Sequence, residues 1–206
     1  MSNYIICSIG LTAAGKTTTL RRISSLCGIN FISEGAIKRK MVNGEFSIKN
    51  STDEKLRSKG YRKAISLAFD YIQAERKDVI IDASFHQQFR RNWIYEEIAT
   101  RKLDDIAVIW VYCVCNNESL IEERIHKRFI SPIKCADNQA NTIGVYNYTK
   151  STFDDVSIDK FDRIAPTYLI VLDTEKNRVI NRASTVADDV LELKINKWRE
   201  LWENYL

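Results

Sequence analysis

Proline is almost missing from this 206-residue chain, which has two, and histidine is as scarce, with His86 and His126 far apart. So little proline, with only seven glycines, excludes collagen-like, proline-rich and low-complexity linker architectures. No apolar run approaches the roughly 18 residues that cross a bilayer. The N-terminus also lacks the basic start and small-residue cleavage site of a signal peptide, so the expected compartment is the cytoplasm, with no membrane partner. Cysteines number five (Cys7, Cys27, Cys113, Cys115 and Cys135), an odd set without a further Cys or His pair at ligand spacing. Neither a disulfide framework nor a zinc site is expected from it. An excess of one charge is missing too: 31 basic residues face 27 acidic ones, for a net charge of +4. That mild basicity suits phosphate-bearing ligands and falls short of a dedicated nucleic-acid binder.

What is present is the balance of a globular α/β protein, 45% hydrophobic and 28% charged, at a length suited to one domain over residues 1–206. Continuous apolar runs at Tyr4–Ile9, Asp78–Ile81, Ile106–Val114 and Tyr168–Leu172, and a weaker one at Ile29–Ile32, suit strands buried on both faces. Helical segments at Lys16–Cys27, Glu54–Arg76, Phe89–Lys102 and Glu118–Arg128 alternate with them, which predicts a mainly parallel sheet covered on both sides. Apolar residues from Val186 to Tyr205 recur at three- and four-residue steps behind a Thr185/Asp188 capping signal, predicting an amphipathic helix over about 185–205. The stretches Val42–Asp53 and Phe129–Asp155 show little periodicity. The second follows a helix rich in Glu, Lys and Arg, and the region of about 118–155 is expected to form a lid.

The strongest motif is Gly10-Leu11-Thr12-Ala13-Ala14-Gly15-Lys16-Thr17, which fits G-x-x-x-x-G-K-[ST] between a strand and a helix. The glycines let the backbone curl so that amides point at phosphate oxygens, and the helix that follows adds the positive end of its dipole. Lys16 is then expected at the β- and γ-phosphates of ATP and the Thr17 hydroxyl on Mg²⁺. Gly10, Ala13, Ala14, Gly15, Lys16, Thr17 and Thr18 are the expected nucleotide contacts. Asp82 ends the apolar run Val79-Ile80-Ile81 on the edge of the sheet where the loop lies, and is the expected carboxylate for Mg²⁺, held directly or through a bound water. No D-x-x-G follows Asp82 and no N-K-x-D appears downstream, so a regulatory GTPase is not expected. Arg124 and Arg128, four apart on a predicted helix, share a face and are candidate cations for a departing phosphoryl group; a salt-bridged surface helix is the plainer alternative. The run Lys55, Arg57, Lys59, Arg62 and Lys63 beside Tyr61 reads either as a solvated helix face or as a site for a polyanion.

Together with Phe31–Lys40, Asp82-Ala83-Ser84, Arg90, Arg91 and Asp173-Thr174, these motifs resemble the P-loop kinases of the zeta-toxin and polynucleotide-kinase-like group over nearly the whole chain. The resemblance implies a P-loop NTPase-type three-layer sandwich with a five-stranded parallel sheet in the order 2-3-1-4-5. It also implies transfer of the γ-phosphoryl group of Mg-ATP to a hydroxyl. Many members carry an Asp after the second strand as the base that takes the acceptor proton, with an Arg three residues on. Here the segment is Ser33-Glu34-Gly35-Ala36-Ile37-Lys38, with Gly35 in place of that Asp and Lys38 in place of the Arg. The base is then Glu34 or Asp82, or transfer has been lost and the chain is an ATP-binding regulator. A small metabolite or nucleotide is the leading acceptor class, and the 5′-hydroxyl end of a nucleic acid is the second.

Overall fold

The computed structural model describes residues 3–42, 53–130, 143–185 and Asn196. Its centre is a six-stranded sheet in the order β2-β3-β1-β4-β5-β6. The strands are β1 (Asn3–Ile9), β2 (Asn30–Ser33), β3 (Val79–Asp82), β4 (Ile106–Val114), β5 (Thr167–Asp173) and β6 (Arg178–Ser184). The first five pair in parallel, in the order that the family resemblance implied. The sixth is an addition to the expected five: β6 turns back antiparallel on β5 with a register shift at Val171/Leu172. Its sequence, RVINRAS, alternates weakly and stays largely in solvent, as an edge strand can.

Strand parity separates the layers. On β1, Ile5, Cys7 and Ile9 enter one core while Tyr4 and Ile6 enter the other, and on β4 Val108 and Trp110 part from Ile109 and Val111 in the same way. The first core is closed by Tyr61, Ala64, Ile65, Ala68, Phe69 and Ile72 of α3 (Glu54–Glu75), and by Trp93, Ile94 and Ile98 of α4 (Gln88–Arg101). The second receives Leu20 and Ile23 of α1 (Lys16–Cys27). Both faces of the sheet are therefore covered, as continuous apolar strands require.

Between β2 and α3 lies α2 (Glu34–Met41), capped by the Ser33 hydroxyl, which accepts from the Ala36 amide at 3.2 Å. Asp53 caps α3, accepting from the Leu56 amide at 3.0 Å. After β4 comes α5 (Glu118–Ile130), and then α6 (Ile143–Ser151), a helix inside the stretch read as aperiodic. A 3-10 turn at Ile158–Lys160 leads into β5. The lid residues 131–142, and the C-terminal helix except for Thr185 and Asn196, lie outside the described residues.

Parallel pairing brings the C-terminal ends of β1, β2 and β3 to one edge. Ile9 is followed at once by the loop, and Ser33 is paired with Asp82 in register. The candidate site is built on that edge, where α/β sheets place their ligands.

Candidate active site

The loop between β1 and α1 bends through the left-handed region at Gly10 (φ 146°), Ala13 (φ 62°) and Gly15 (φ 89°). At Gly10 a Cβ would lie 2.4 Å from the Cys113 carbonyl oxygen, so only glycine lets the loop lie this close to β4. The end of β5 braces the loop from the other side. The Thr174 hydroxyl is within hydrogen-bond reach of the carbonyls of Ala14 (2.9 Å) and Val114 (3.1 Å), and its amide donates to Val114 at 2.9 Å.

Lys16 reaches back into the loop and donates to the Leu11 carbonyl at 2.6 Å. Burial drives its pKa down from 10.5 to about 8; nearby Asp82 and Cys113 oppose the fall and Arg128 adds to it. The residue as a whole is half-buried. Thr17 donates to the Asp82 carboxylate at 2.9 Å, so two residues 65 apart in sequence meet as an oxygen pair. Hard oxygen donors of this kind suit Mg²⁺. The curled loop, the start of α1 and the Lys16 ammonium likewise suit a polyphosphate. The residues present thus fit Mg-ATP.

Two cavities flank the loop. One, of about 120 Å³, is lined by Lys16, Thr17 and Asp82 at one end and by Glu34, Lys38 and Arg57 further on, with Tyr61, Ser84 and Thr149 also in its wall. The other, of about 330 Å³, is lined by Thr18, Arg22, Arg124, Lys127, Thr174 and Asn177. Ala13, Gly15 and Arg128 belong to both, so the loop is the partition between them. Gly10 and Ala14 line neither and shape the loop from beneath.

Glu34 and Lys38 are both buried and form an ion pair at 3.2 Å across one turn of α2. The sequence placed Glu34 beside the usual base position, and the structure brings its carboxylate into the cavity that holds Lys16 and Asp82. Gly35 lines the same cavity. Arg124 and Arg128 part company. Arg124 donates to the Ala13 carbonyl and to the Thr174 carbonyl, each at 3.2 Å, and opens on the second cavity alone, whereas Arg128 faces both. The neighbouring Lys127 and Glu123 pair on the exposed side of α5.

The basic run on α3 is divided by helical geometry. Lys55, Lys59, Arg62 and Lys63 are exposed, while Arg57 is buried, one turn before Tyr61. Sequence reading took the run as a whole, as a solvated face or a polyanion site, and did not single out Arg57, although its spacing to Tyr61, Ala64 and Ala68 sets it on the buried stripe. The Tyr61 hydroxyl accepts from the amides of Ser84 (3.1 Å) and Phe85 (3.3 Å), fixing the segment that follows Asp82. Arg90 is fully buried beneath, paired to Glu54 at 2.5 Å and stacked 4.7 Å from the Tyr61 ring centroid. Arg91 donates to the carbonyls of Phe85 (3.0 Å) and Asp155 (2.8 Å), so both arginines act as struts behind the cavity. Val145 and Thr149 of α6 complete the wall; they fall in the stretch of about 118–155 expected as a lid, in which sequence reading had singled out neither.

Loop, sheet and edge together define an α/β fold of the P-loop nucleotide-binding kind. The AAA domain family model matches residues 5–137, and the chain belongs to that family. No curated protein matches the sequence. Among solved structures, the chain is similar to a sugar kinase from Janibacter sp. HTCC2649 (15% identity, 98% of this chain and 96% of the other, TM-score 0.60). It is similar also to a fungal RNA kinase (15% identity, 98% and 87% covered, TM-score 0.57). A third is the APS kinase CysC of Mycobacterium tuberculosis, in complex with AMPPNP and APS (14% identity, 97% and 98% covered, TM-score 0.54). At these identities the likeness is one of fold.

Proposed function

We propose that the chain is an ATP-dependent phosphotransferase of the zeta-toxin and polynucleotide-kinase-like group, acting on the hydroxyl of a small acceptor. The observation that carries this reading is the Thr17–Asp82 contact at 2.9 Å, beside Lys16, at one end of a cavity whose far wall holds Glu34. A metal-type oxygen pair, a phosphate-type cation and a second carboxylate then share one cavity.

In this reading the loop from Gly10 to Thr18 holds the triphosphate, with Lys16 on the γ-phosphate. Thr17 and Asp82 would hold Mg²⁺, which supplies positive charge to phosphate oxygens. Glu34 accepts the proton of the acceptor hydroxyl as that oxygen bonds to the γ-phosphorus and the bond from phosphorus to the leaving ADP oxygen breaks. Lys38 keeps the Glu34 side chain in place. Arg128, facing both cavities, stabilises the charge that grows on the departing group, and Arg124 fastens α5 to the loop. Arg124 thereby acts as a positioning residue.

The test is a transfer screen with γ-labelled ATP over sugars, sugar acids, nucleosides, nucleotides, aminoglycosides and oligonucleotides. Label moves to at least one hydroxyl compound, and Lys16→Ala abolishes the transfer. Turnover that survives Lys16→Ala refutes the assignment of the loop. Tight ATP binding with no phosphorylated product in any class favours a nucleotide-binding regulator.

A further inference from the structure

Arg57 is the charged group of the acceptor-side cavity that the proposed mechanism leaves without a task. It is 5% exposed and lines that cavity. Among the described residues no carboxylate pairs with it; its guanidinium lies 5.1 Å from the ring centroid of Tyr148 on α6. The carboxylates lining the cavity are engaged elsewhere, Asp82 with Thr17 and Glu34 with Lys38. A cation–π contact returns only part of what a buried guanidinium loses in leaving water. The helix adds to the imbalance, since Arg57 occupies the first turn of α3, where the positive end of the helix opposes a cation.

The surrounding charge has the same sign. His86, fully buried nearby, has its pKa pushed down to about 2 by burial and then by Arg57, Arg90, Lys16 and Arg91. The lining of the cavity itself places four cations, Lys16, Lys38, Arg57 and Arg128, against two carboxylates, Glu34 and Asp82.

We infer that Arg57 receives an anionic group of the acceptor, a carboxylate or a phosphate, so that the protein takes small hydroxy-anions in preference to neutral polyols. This rests on the phosphotransferase reading. The span fits a small molecule: α3 meets Glu34 and Lys38 at Gly60, where a Cβ would lie 2.9 Å and 2.6 Å from their side chains. Arg57 lies three residues earlier, about 5 Å along the axis. Arg57, Glu34 and Lys38 line one cavity, so an anion on the guanidinium and a hydroxyl at Glu34 can belong to one small molecule.

The decisive measurement is thermal unfolding of the full chain saturated with Mg-ADP, so that the phosphate loop is filled, and titrated with inorganic phosphate. Sodium chloride at matched ionic strength is the control. Phosphate raises the midpoint of the wild-type protein above the chloride control, and Arg57→Met loses that increment. Without ligand, Arg57→Met melts no lower than wild type, because it buries no unbalanced charge. An equal phosphate response in both proteins, or none in wild type, overturns the inference.

Transfer assays with matched acceptors separate the two anions: a sugar alcohol against its sugar acid, and a nucleoside against its monophosphate. Arg57→Met raises KM for the anionic member about tenfold and leaves nucleotide affinity unchanged. Neutral members turned over as efficiently as their anionic partners also refute it. Failure of the phosphotransferase reading shows separately, as label that moves to no acceptor in the transfer screen or as the absence of any midpoint shift with Mg-ADP. Phosphate titration without nucleotide still compares the two proteins in that case.

Discussion

Raising the pH should weaken nucleotide binding through Lys16 alone. In the ligand-free protein its ammonium titrates near 8 instead of 10.5, mainly because it is buried, a penalty of roughly 3 kcal/mol on the charged form. A triphosphate beside it restores the proton. Below pH 8 the free and bound proteins both carry the ammonium and affinity is flat. At pH 9 about one free molecule in ten carries it, so affinity for Mg-ATP falls about tenfold and nearly one proton is taken up on binding. Isothermal titration calorimetry at pH 7, 8 and 9, in buffers of different ionisation enthalpy, reads both quantities. The same lysine tilts folding the other way. Its folded pKa lies below its unfolded one, so the unfolded chain binds more protons between pH 8 and 10.5, and ligand-free stability rises with pH across that window. Lys16→Met removes both trends. Affinity that stays flat to pH 9 with no proton uptake would refute the argument that burial governs this ammonium.

Two glycine substitutions probe the scaffold and the chemistry separately. Gly10→Ala sets a Cβ 2.4 Å from the Cys113 carbonyl at a φ that side chains rarely adopt, so it costs about 2–4 kcal/mol of stability in urea unfolding. Gly60→Ala gains helix propensity, about 1 kcal/mol, but crowds Lys38 at 2.6 Å and Glu34 at 2.9 Å. Transfer rate then falls while the unfolding midpoint and ATP affinity hold; a parallel loss of all three would show that the Glu34–Lys38 pair serves only the fold.

The loop was legible because its chemistry needs fixed residue types at fixed spacing, and Asp82 because a carboxylate ending an apolar strand stands out. Continuous apolar runs likewise made the sheet readable, from Tyr4 to Ile9 and from Ile106 to Val114. What escaped was set by tertiary context. Arg57 looks in one dimension like its neighbours Lys55 and Lys59, and only the helical stripe running through Tyr61 and Ala64 distinguishes it. The polar, weakly alternating Arg178–Ser184 becomes a strand because β5 offers it an edge. Val145 and Thr149 reach the cavity through the packing of α6, which local sequence does not encode.

A loop flanked by two openings also bears on the order of events. On the reading proposed above, the nucleotide would come from the side of Thr18, Arg124 and Thr174 with its last phosphate over Lys16, and the acceptor from the side of Glu34 and Arg57, so that both reach the cavity lined by Lys16, Asp82 and Glu34. Neither would have to leave before the other arrives or departs, which is the geometry of a ternary encounter with direct handover and no covalently phosphorylated form of the protein in between.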